Sequence, residues 1–343
     1  MGPNQRRSTK PFSTGCLETI TKRGDAVTRK GPGYLGLLLI VLVSPPLRAQ
    51  TRAASSADSR TIAPGVWFVA GDSHKGYCNS IVIEMKTYLI LVDPSYPGRT
   101  EELVKLIASV SPKPVRYVFD THAHGDHSYA NAAWMRRGAT TMAFAGVAEE
   151  MKLYEPERWQ TNGMKREDVR ATGETNVELP KKLLHGDRFV LRDGSREVDF
   201  LHFGWGHTRG DGFVWLPKER VLCTGDAAVN GPRNKFWDAD VANWPKALDQ
   251  ALALQPAIVL PGHGDPGGPE ILRGQAKYLR DLYVAVKHEK TAGMTEQQVI
   301  AAPVTLPADD ANWVRDDQGT TAGIIYRELA AGKPAGALPH TWK

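Results

Sequence analysis

Cysteine is scarce: Cys16, Cys78 and Cys223 are the only three in 343 residues. Three scattered thiols exclude a disulfide scaffold and a thiolate-rich zinc site, so any metal must be held by histidine and carboxylate. Long apolar runs are missing as well. The longest, Tyr34 to Val43, is ten residues, half of the roughly 20 that a bilayer-spanning helix needs. The mature chain is therefore expected to have no stable membrane span. With 41% hydrophobic and 24% charged residues and a mean hydropathy of −0.35, the composition is also too ordinary for disorder or a collagen-like repeat. The length suits one large layered domain with additions, or two smaller ones.

The net charge of +5 hints at an acidic partner until it is located. Residues 1–49 hold eight Lys and Arg against two Asp and Glu, which leaves 35 basic and 36 acidic residues elsewhere. The basicity thus belongs to the leader, and a nucleic-acid partner is not expected for the rest. In that leader, Arg29 and Lys30 precede the apolar stretch, and Leu47-Arg48-Ala49 follows it as a plausible cleavage site. We read residues 1–49 as a leader removed near Ala49, with export to the periplasm or the exterior. Translation is expected to start near Val27, since 26 polar residues ahead of a secretory signal are unusual.

From Gly65 the chain alternates strand-like and helix-like segments. Val66 to Val69, Ser80 to Ile83, Tyr88 to Val92 and Arg116 to Phe119 read as strands. A helix capped by Thr100, with Leu103, Leu106, Ile107 and Val110 on one stripe, lies between the last two. The second half repeats this order: strands at Arg188 to Leu191, Val198 to Phe203, Gly212 to Leu216 and Arg220 to Thr224, a helix from Trp244, then a strand at Ala257 to Leu260. Two such halves predict an α/β protein built as a four-layer αββα sandwich over residues 50–268. The polar stretch 154–182 reads as an inserted loop or lid. Residues 269–343 read as a helical extension packing on the same domain, with Thr295 and Gln298 spaced as a capping box.

The chemistry is concentrated after the strand ending at Phe119. Thr121-His122-Ala123-His124-Gly125-Asp126-His127 places three of the chain's ten histidines and one carboxylate within six residues. Alternate residues on an extended segment point the same way, so His122 and His124 can share one ion, while Asp126 and His127 face a second position. Three buried imidazoles without an ion would mainly add desolvation cost. Later, His207, Asp226 and His263 each follow a strand and adjoin glycine, where the backbone can turn sharply toward an ion.

With those residues in order, the chain resembles the metallo-β-lactamase-fold hydrolases over roughly Ile62 to Pro266, and Asp93 fills the family's first acidic motif. The resemblance implies that His122, His124 and His207 hold a first metal, that Asp126, His127 and His263 hold a second, and that Asp226 bridges them. It implies two zinc ions, although iron and manganese accept the same ligands. It also implies a hydrolase in which two cations sharpen a shared water, oriented by the catalytic Asp126, for attack on a small-molecule substrate. Zinc β-lactamases usually lack a carboxylate at the position of Asp226, whereas glyoxalase II-like thioesterases and lactonases carry one. A small ester, thioester or lactone is therefore expected ahead of a β-lactam. An iron-dependent oxidoreductase on the same fold, or a binding protein without catalysis, would be separated from hydrolysis by bound metal and oxygen uptake. The signature is specific for the fold and weakly specific for substrate.

Other residues carry less. His74, in a turn between the first strands, reads as a solvated histidine near the pocket, and His185 and His202 read as structural. Cys78 and Cys223 read as buried thiols. Arg209, Asp211, Arg233, Asn234 and Trp237 flank the motifs, as pocket or as ordinary packing residues.

Overall fold

The computed structural model describes residues 59–302 and 304–339. The leader, Cys16 and the cleavage site near Ala49 lie outside the described residues. Strands β1 (Ser59–Ala63), β2 (Val66–Val69), β3 (Ser80–Glu84), β4 (Leu89–Val92), β5 (Val115–Phe119), β6 (Thr140–Phe144) and β7 (Lys182–Leu184) form one sheet in chain order. Its first three pairings are antiparallel and its last three parallel. Strands β8 (Arg188–Arg192), β9 (Glu197–Leu201), β10 (Phe213–Leu216), β11 (Val221–Gly225) and β12 (Ile258–Pro261) form a second sheet, in the order β12-β11-β10-β9-β8.

The two sheets close on an apolar layer. Phe68, Ile81, Ile83, Ile90, Val92 and Phe119 of the first meet Val198, Phe200, Val214, Leu216, Val221 and Leu260 of the second. Phe119 ties them together, its ring centroid 4.7 Å from that of Phe200 and 6.3 Å from that of Phe144. Strand β4 is apolar at all four positions because it is covered on both sides. On its outer side lie α1 (Thr100–Val110), whose Leu103 and Ile107 are buried, and Trp134 of α3 (Asn131–Arg136), which follows the short α2 (Gly125–Ser128). The α1 connection between parallel β4 and β5 is the usual way to join such strands. Across the second sheet, α6 (Trp244–Ala253), α7 (Glu270–Thr291), α8 (Glu296–Ala301) and α9 (Gln318–Ala331) share one apolar core with Leu201, Phe213, Trp215, Leu222 and Val259. Helix, sheet, sheet and helix make the four layers. Among the described residues no helix is long and apolar enough to cross a membrane.

Two expectations are corrected. Thr100 does not cap α1: the turn Pro97–Arg99 runs directly into the helix, so Thr100 already has helical angles, and no side chain makes a cap hydrogen bond there. Nor is residues 154–182 a plain loop. Helix α4 (Ala145–Thr161) extends into it, and a single turn, α5 (Glu167–Arg170), follows. Trp159, Val169 and Val177 are buried there. The pattern hid this because the inward face of α4 mixes Met151 and Trp159 with Glu150, Glu155 and Arg158, all buried. A face held by ion pairs carries no hydrophobic period. The capping box at the start of α8 is present, with Thr295 Oγ1 accepting from Gln298 N–H and Gln298 Oε1 accepting from Thr295 N–H.

Candidate metal centre

The residues singled out for metal binding lie on segments that follow strands β5, β9, β11 and β12. Beyond β5, the N–H of Thr121 and its hydroxyl donate to Asp93 at 2.8 and 2.9 Å, which fixes the loop that carries His122 and His124. His124 opens α2, and Asp126 and His127 lie within it. His207 follows β9 by six residues, in a loop tied down by Asp211, whose carboxylate accepts from the N–H of His207 (2.6 Å) and from the N–H and hydroxyl of Thr208 (2.9 and 2.7 Å). Asp226 follows β11 and His263 follows β12. Glycine is required beside them: a Cβ on Gly225 would lie 2.2 Å from Thr121 Oγ1, and one on Gly262 would lie 2.2 Å from Asp226 Oδ1.

The structure brings all seven residues together, and all seven are buried. One ligand atom each from His122, His124, His207 and Asp226 lies within 4.8 Å of the others, and the same holds for Asp126, His127 and His263. Asp226 stands between the sets. Its Oδ1 is 3.3 Å from His127 Nε2, and its Oδ2 is 3.5 Å from His263 Nε2 and 3.9 Å from His207 Nε2. Asp126 Oδ2 is 3.1 Å from His263 Nε2.

The fit to a cation rests on atoms left over. His122 Nε2, His127 Nε2 and Asp226 Oδ1 are buried without a hydrogen-bond partner, an arrangement that costs about 1–3 kcal/mol per group unless something else satisfies it. The opposite ring nitrogens are engaged: His122 Nδ1 with Thr121 Oγ1 (3.0 Å), His127 Nδ1 with Asp93 (2.8 Å), His207 Nδ1 with the Lys235 carbonyl (3.0 Å) and His124 Nε2 with Asp238 (2.7 Å). Such partners hold the proton on one nitrogen and turn the other toward the ion. That leaves Nε2 of His122 and of His127 without a partner, while Nε2 of His207 and Nδ1 of His124 face each other at 3.1 Å.

Electrostatics agree with this. Burial pushes His207 down to about 3 and holds His124 and His122 below the usual imidazole range, with neighbouring imidazoles adding to the effect on His122 and His207. Neutral rings are what a metal requires. Against burial, the charges of His263 and His127 hold Asp226 below the usual carboxylate range, and His127 and Lys235 do the same for Asp126. Burial opposes a proton on His127, yet its surroundings, Asp226, Asp93 and Asp126 among them, outweigh it, so this concentration of carboxylates favours a positive charge in their midst. Nitrogen and carboxylate donors suit zinc.

The remaining sequence candidates fall outside the cluster. His74 is exposed, its N–H bonded to Asp72 (2.9 Å), and His185 is exposed. His202 lies just past β9, its Nδ1 2.8 Å from the Asp211 carbonyl, and braces the His207 loop. Cys78 and Cys223 are buried free thiols, and burial raises both. Asn234 is buried and donates to the Trp313 carbonyl, whereas Trp237 is 41% exposed. Neither Asp238 nor Arg158 stands out in the sequence. Asp238 holds His124 and accepts from Arg158 Nη2 through both oxygens at 2.6 Å. Arg158 Nη1 is also 3.5 Å from Glu155 and 3.9 Å from Glu150. No motif surrounds either residue; only a recognised helix at α4 would have put Arg158 on an inward face.

A family model described as the metallo-beta-lactamase superfamily matches residues 75–263. The chain is 28% identical over 200 residues to a metallo-beta-lactamase type 2 of Bacillus cereus, covering 57% of this chain and 70% of that protein. It is 22% identical over 222 residues to a probable hydroxyacylglutathione hydrolase of Schizosaccharomyces pombe, covering 64% and 72%. Among solved structures, a stereoselective inverting sec-alkylsulfatase from Pseudomonas sp. shares the fold with a TM-score of 0.63 at 20% identity, over 83% of this chain and 52% of that one. Members of this group are metal-dependent hydrolases that typically bind zinc. The chain belongs to the metallo-beta-lactamase superfamily and is a metal-dependent hydrolase.

Proposed function

We propose that the protein is an exported hydrolase that holds two zinc ions and cleaves a small ester, thioester or lactone. The observation that carries this reading is Asp226, a buried carboxylate whose two oxygens face both ligand sets. His122, His124 and His207 would hold one ion, Asp126, His127 and His263 the other, and Asp226 both. The chemistry zinc supplies in such a site is polarisation of a carbonyl and acidification of water near neutral pH.

The chain's own groups do the rest. Asp126 is ionised and 7% exposed, placed to accept a proton from water and orient it. Lys235 acts electrostatically on Asp126, His124 and His207, so its ammonium favours negative charge developing on a substrate oxygen. Asp238 and Arg158 fix the ring of His124. A carboxylate at Asp226 supports an oxygen or sulfur ester over a β-lactam. The B. cereus relative supports β-lactam hydrolysis as the second reading. Export rests on the leader composition alone, and sequencing the mature N-terminus tests it, with a start near Gln50 expected.

Turnover of nitrocefin, a thioester and a lactone, measured side by side with metal content, tests the reaction. We expect about two zinc ions per chain, with the thioester or lactone turned over faster than nitrocefin. Asp226→Ala should lose metal, and activity should fall by at least about 10²-fold with it. Nitrocefin as the best substrate would install the second reading, and full turnover by Asp226→Ala would end both.

A further inference from the structure

A large cavity of about 1120 Å³ has a wall residue, Trp237, next in the chain to the Asp238 that bonds His124, and none of the seven candidate ligands lines it. It is an open cleft lined by the end of α4 and the turn after it, by Trp237, and by α9 with the segment that follows. Clefts of about 300–1,000 Å³ hold ligands of drug size, so the space exceeds what a minimal ester occupies. Its described lining is one-sided in charge: Lys165 and Arg327 supply two cations, and it contains no Asp or Glu. Much of the rest is hydrocarbon, with Trp237, Ile324 and Leu338 the largest groups. Arg327 is 3.5 Å from Glu296 through Nε, an exposed pair of little net strength.

Two wall residues, Trp237 and Gln160, are close chain neighbours of the residues that support the metal-ligand rings. Trp237 is followed by Asp238, which is bonded to His124. Lys235, two residues earlier, accepts through its carbonyl from His207. Gln160, in the opposite wall, lies two residues beyond Arg158, which fixes Asp238. A narrow cleft lined by Lys235, Phe236 and Arg315 shares Trp237, Thr320 and Ile324 with the cavity. A ligand in the large space is therefore adjacent to the loop whose Lys235 charge is felt at Asp126.

We propose that the cavity binds the non-reacting part of the substrate, and that this part is an apolar chain bearing a carboxylate or similar anion. The apolar chain lies along Trp237, Ile324 and Leu338, its anion meets Lys165 and Arg327, and its ester or thioester carbonyl is presented to the ligand cluster. The inference rests on the hydrolase reading above and narrows its substrate class to amphipathic anions. Binding energy from such a remote group is what orients the reacting centre.

Two measurements on the full chain test this. In the first, octanoate and octanol are titrated calorimetrically into the protein, a readout that needs no turnover. In the second, hydrolysis of 4-nitrophenyl acetate is compared with that of the mono-4-nitrophenyl ester of suberic acid, whose far end is a carboxylate. Octanoate should bind about tenfold more tightly than octanol, the increment of one charge-assisted contact. Lys165→Gln should remove that preference and raise KM for the suberate ester about tenfold at constant kcat. Ala331→Trp, at an exposed position of α9 that lines the cavity, should abolish octanoate binding by filling the space. Both variants should cleave the acetate as the parent does. Octanoate binding and suberate KM within twofold of the parent in both variants would overturn the proposal. A zinc-loaded chain that cleaves neither ester defeats the ester-hydrolase reading, and the octanoate arm then still decides whether the cavity takes an amphipathic anion.

Discussion

The layer between the two sheets and the layer behind His124 are equally buried and are built in opposite ways. Between the sheets, Phe68, Phe119, Phe200, Val214 and Leu216 pack hydrocarbon on hydrocarbon. Such contacts are non-directional, so they fix the distance between sheets without fixing any one atom. Behind His124, one guanidinium faces three carboxylates, Asp238, Glu155 and Glu150, and Tyr129 donates its hydroxyl to Glu155. Ion pairs buried in this way add little net stability, because desolvation offsets attraction. They do impose direction, and direction is what a ligand ring needs. The apolar layer therefore holds the fold, and the ionic layer aims one side chain.

The sharpest way to break that division is to damage each layer in turn. Phe200→Ala should cost about 3–5 kcal/mol in denaturant unfolding, while zinc affinity of the folded fraction stays within about twofold of the parent. Arg158→Met should cost a similar ~3–5 kcal/mol by leaving Asp238 buried without its cation, and zinc affinity should fall as well. An Arg158→Met chain that binds zinc as the parent does would reduce the ionic layer to ordinary structure.

The same layer should report its charge through pH. Burial raises Glu155 from 4.5 to about 7, against the lowering influence of Arg158 and Tyr129. The folded state holds that proton more tightly than the unfolded one. Its contribution is therefore complete below about pH 4.5 and is lost as pH rises through about 7, by at most ~3 kcal/mol. Glu155→Gln should flatten the fall in unfolding free energy between pH 5 and pH 8. An unchanged slope would show that Glu155 is ionised throughout.

A smaller effect separates aiming from folding. Asp238→Asn keeps the shape but weakens the hold on His124 Nε2, so zinc affinity should drop about 10–100-fold, with a loss of stability smaller than that of Arg158→Met because Glu155 and Glu150 still face the guanidinium. Smallest of all, Thr295→Ala removes the cap of α8 and should cost about 1 kcal/mol without touching zinc; a larger loss would mean that α8 supports more than its own first turn.

The apolar layer was readable in advance because it is periodic. Val66 to Val69 and Leu89 to Val92 announce strands by composition, and the helix over residues 100–110 announces itself by its stripe. The seven candidate ligands were readable because four of them cluster in the chain, and because the later three sit beside glycines at strand ends. The ionic layer was not readable. Glu150, Glu155 and Arg158 look like a solvated face, and residues 154–182 therefore read as a loop although α4 buries that face. Thr100 misled for a related reason: a good capping residue was pre-empted by the turn Pro97–Arg99, which had already begun the helix.

The sequence alone determined which residues can bind a metal, how the strands alternate with helices, and that the layers number four. These are local properties, set by side-chain chemistry and by periods of two and 3.6 residues. Only the tertiary structure decided that Asp226 faces both ligand sets, that Asp238 and Arg158 stand behind His124, and that a cationic, apolar cavity lies beside them. Those are relations between residues far apart in the chain, 114 positions for His124 and Asp238, and they exist only once burial has forced each polar atom to find its partner.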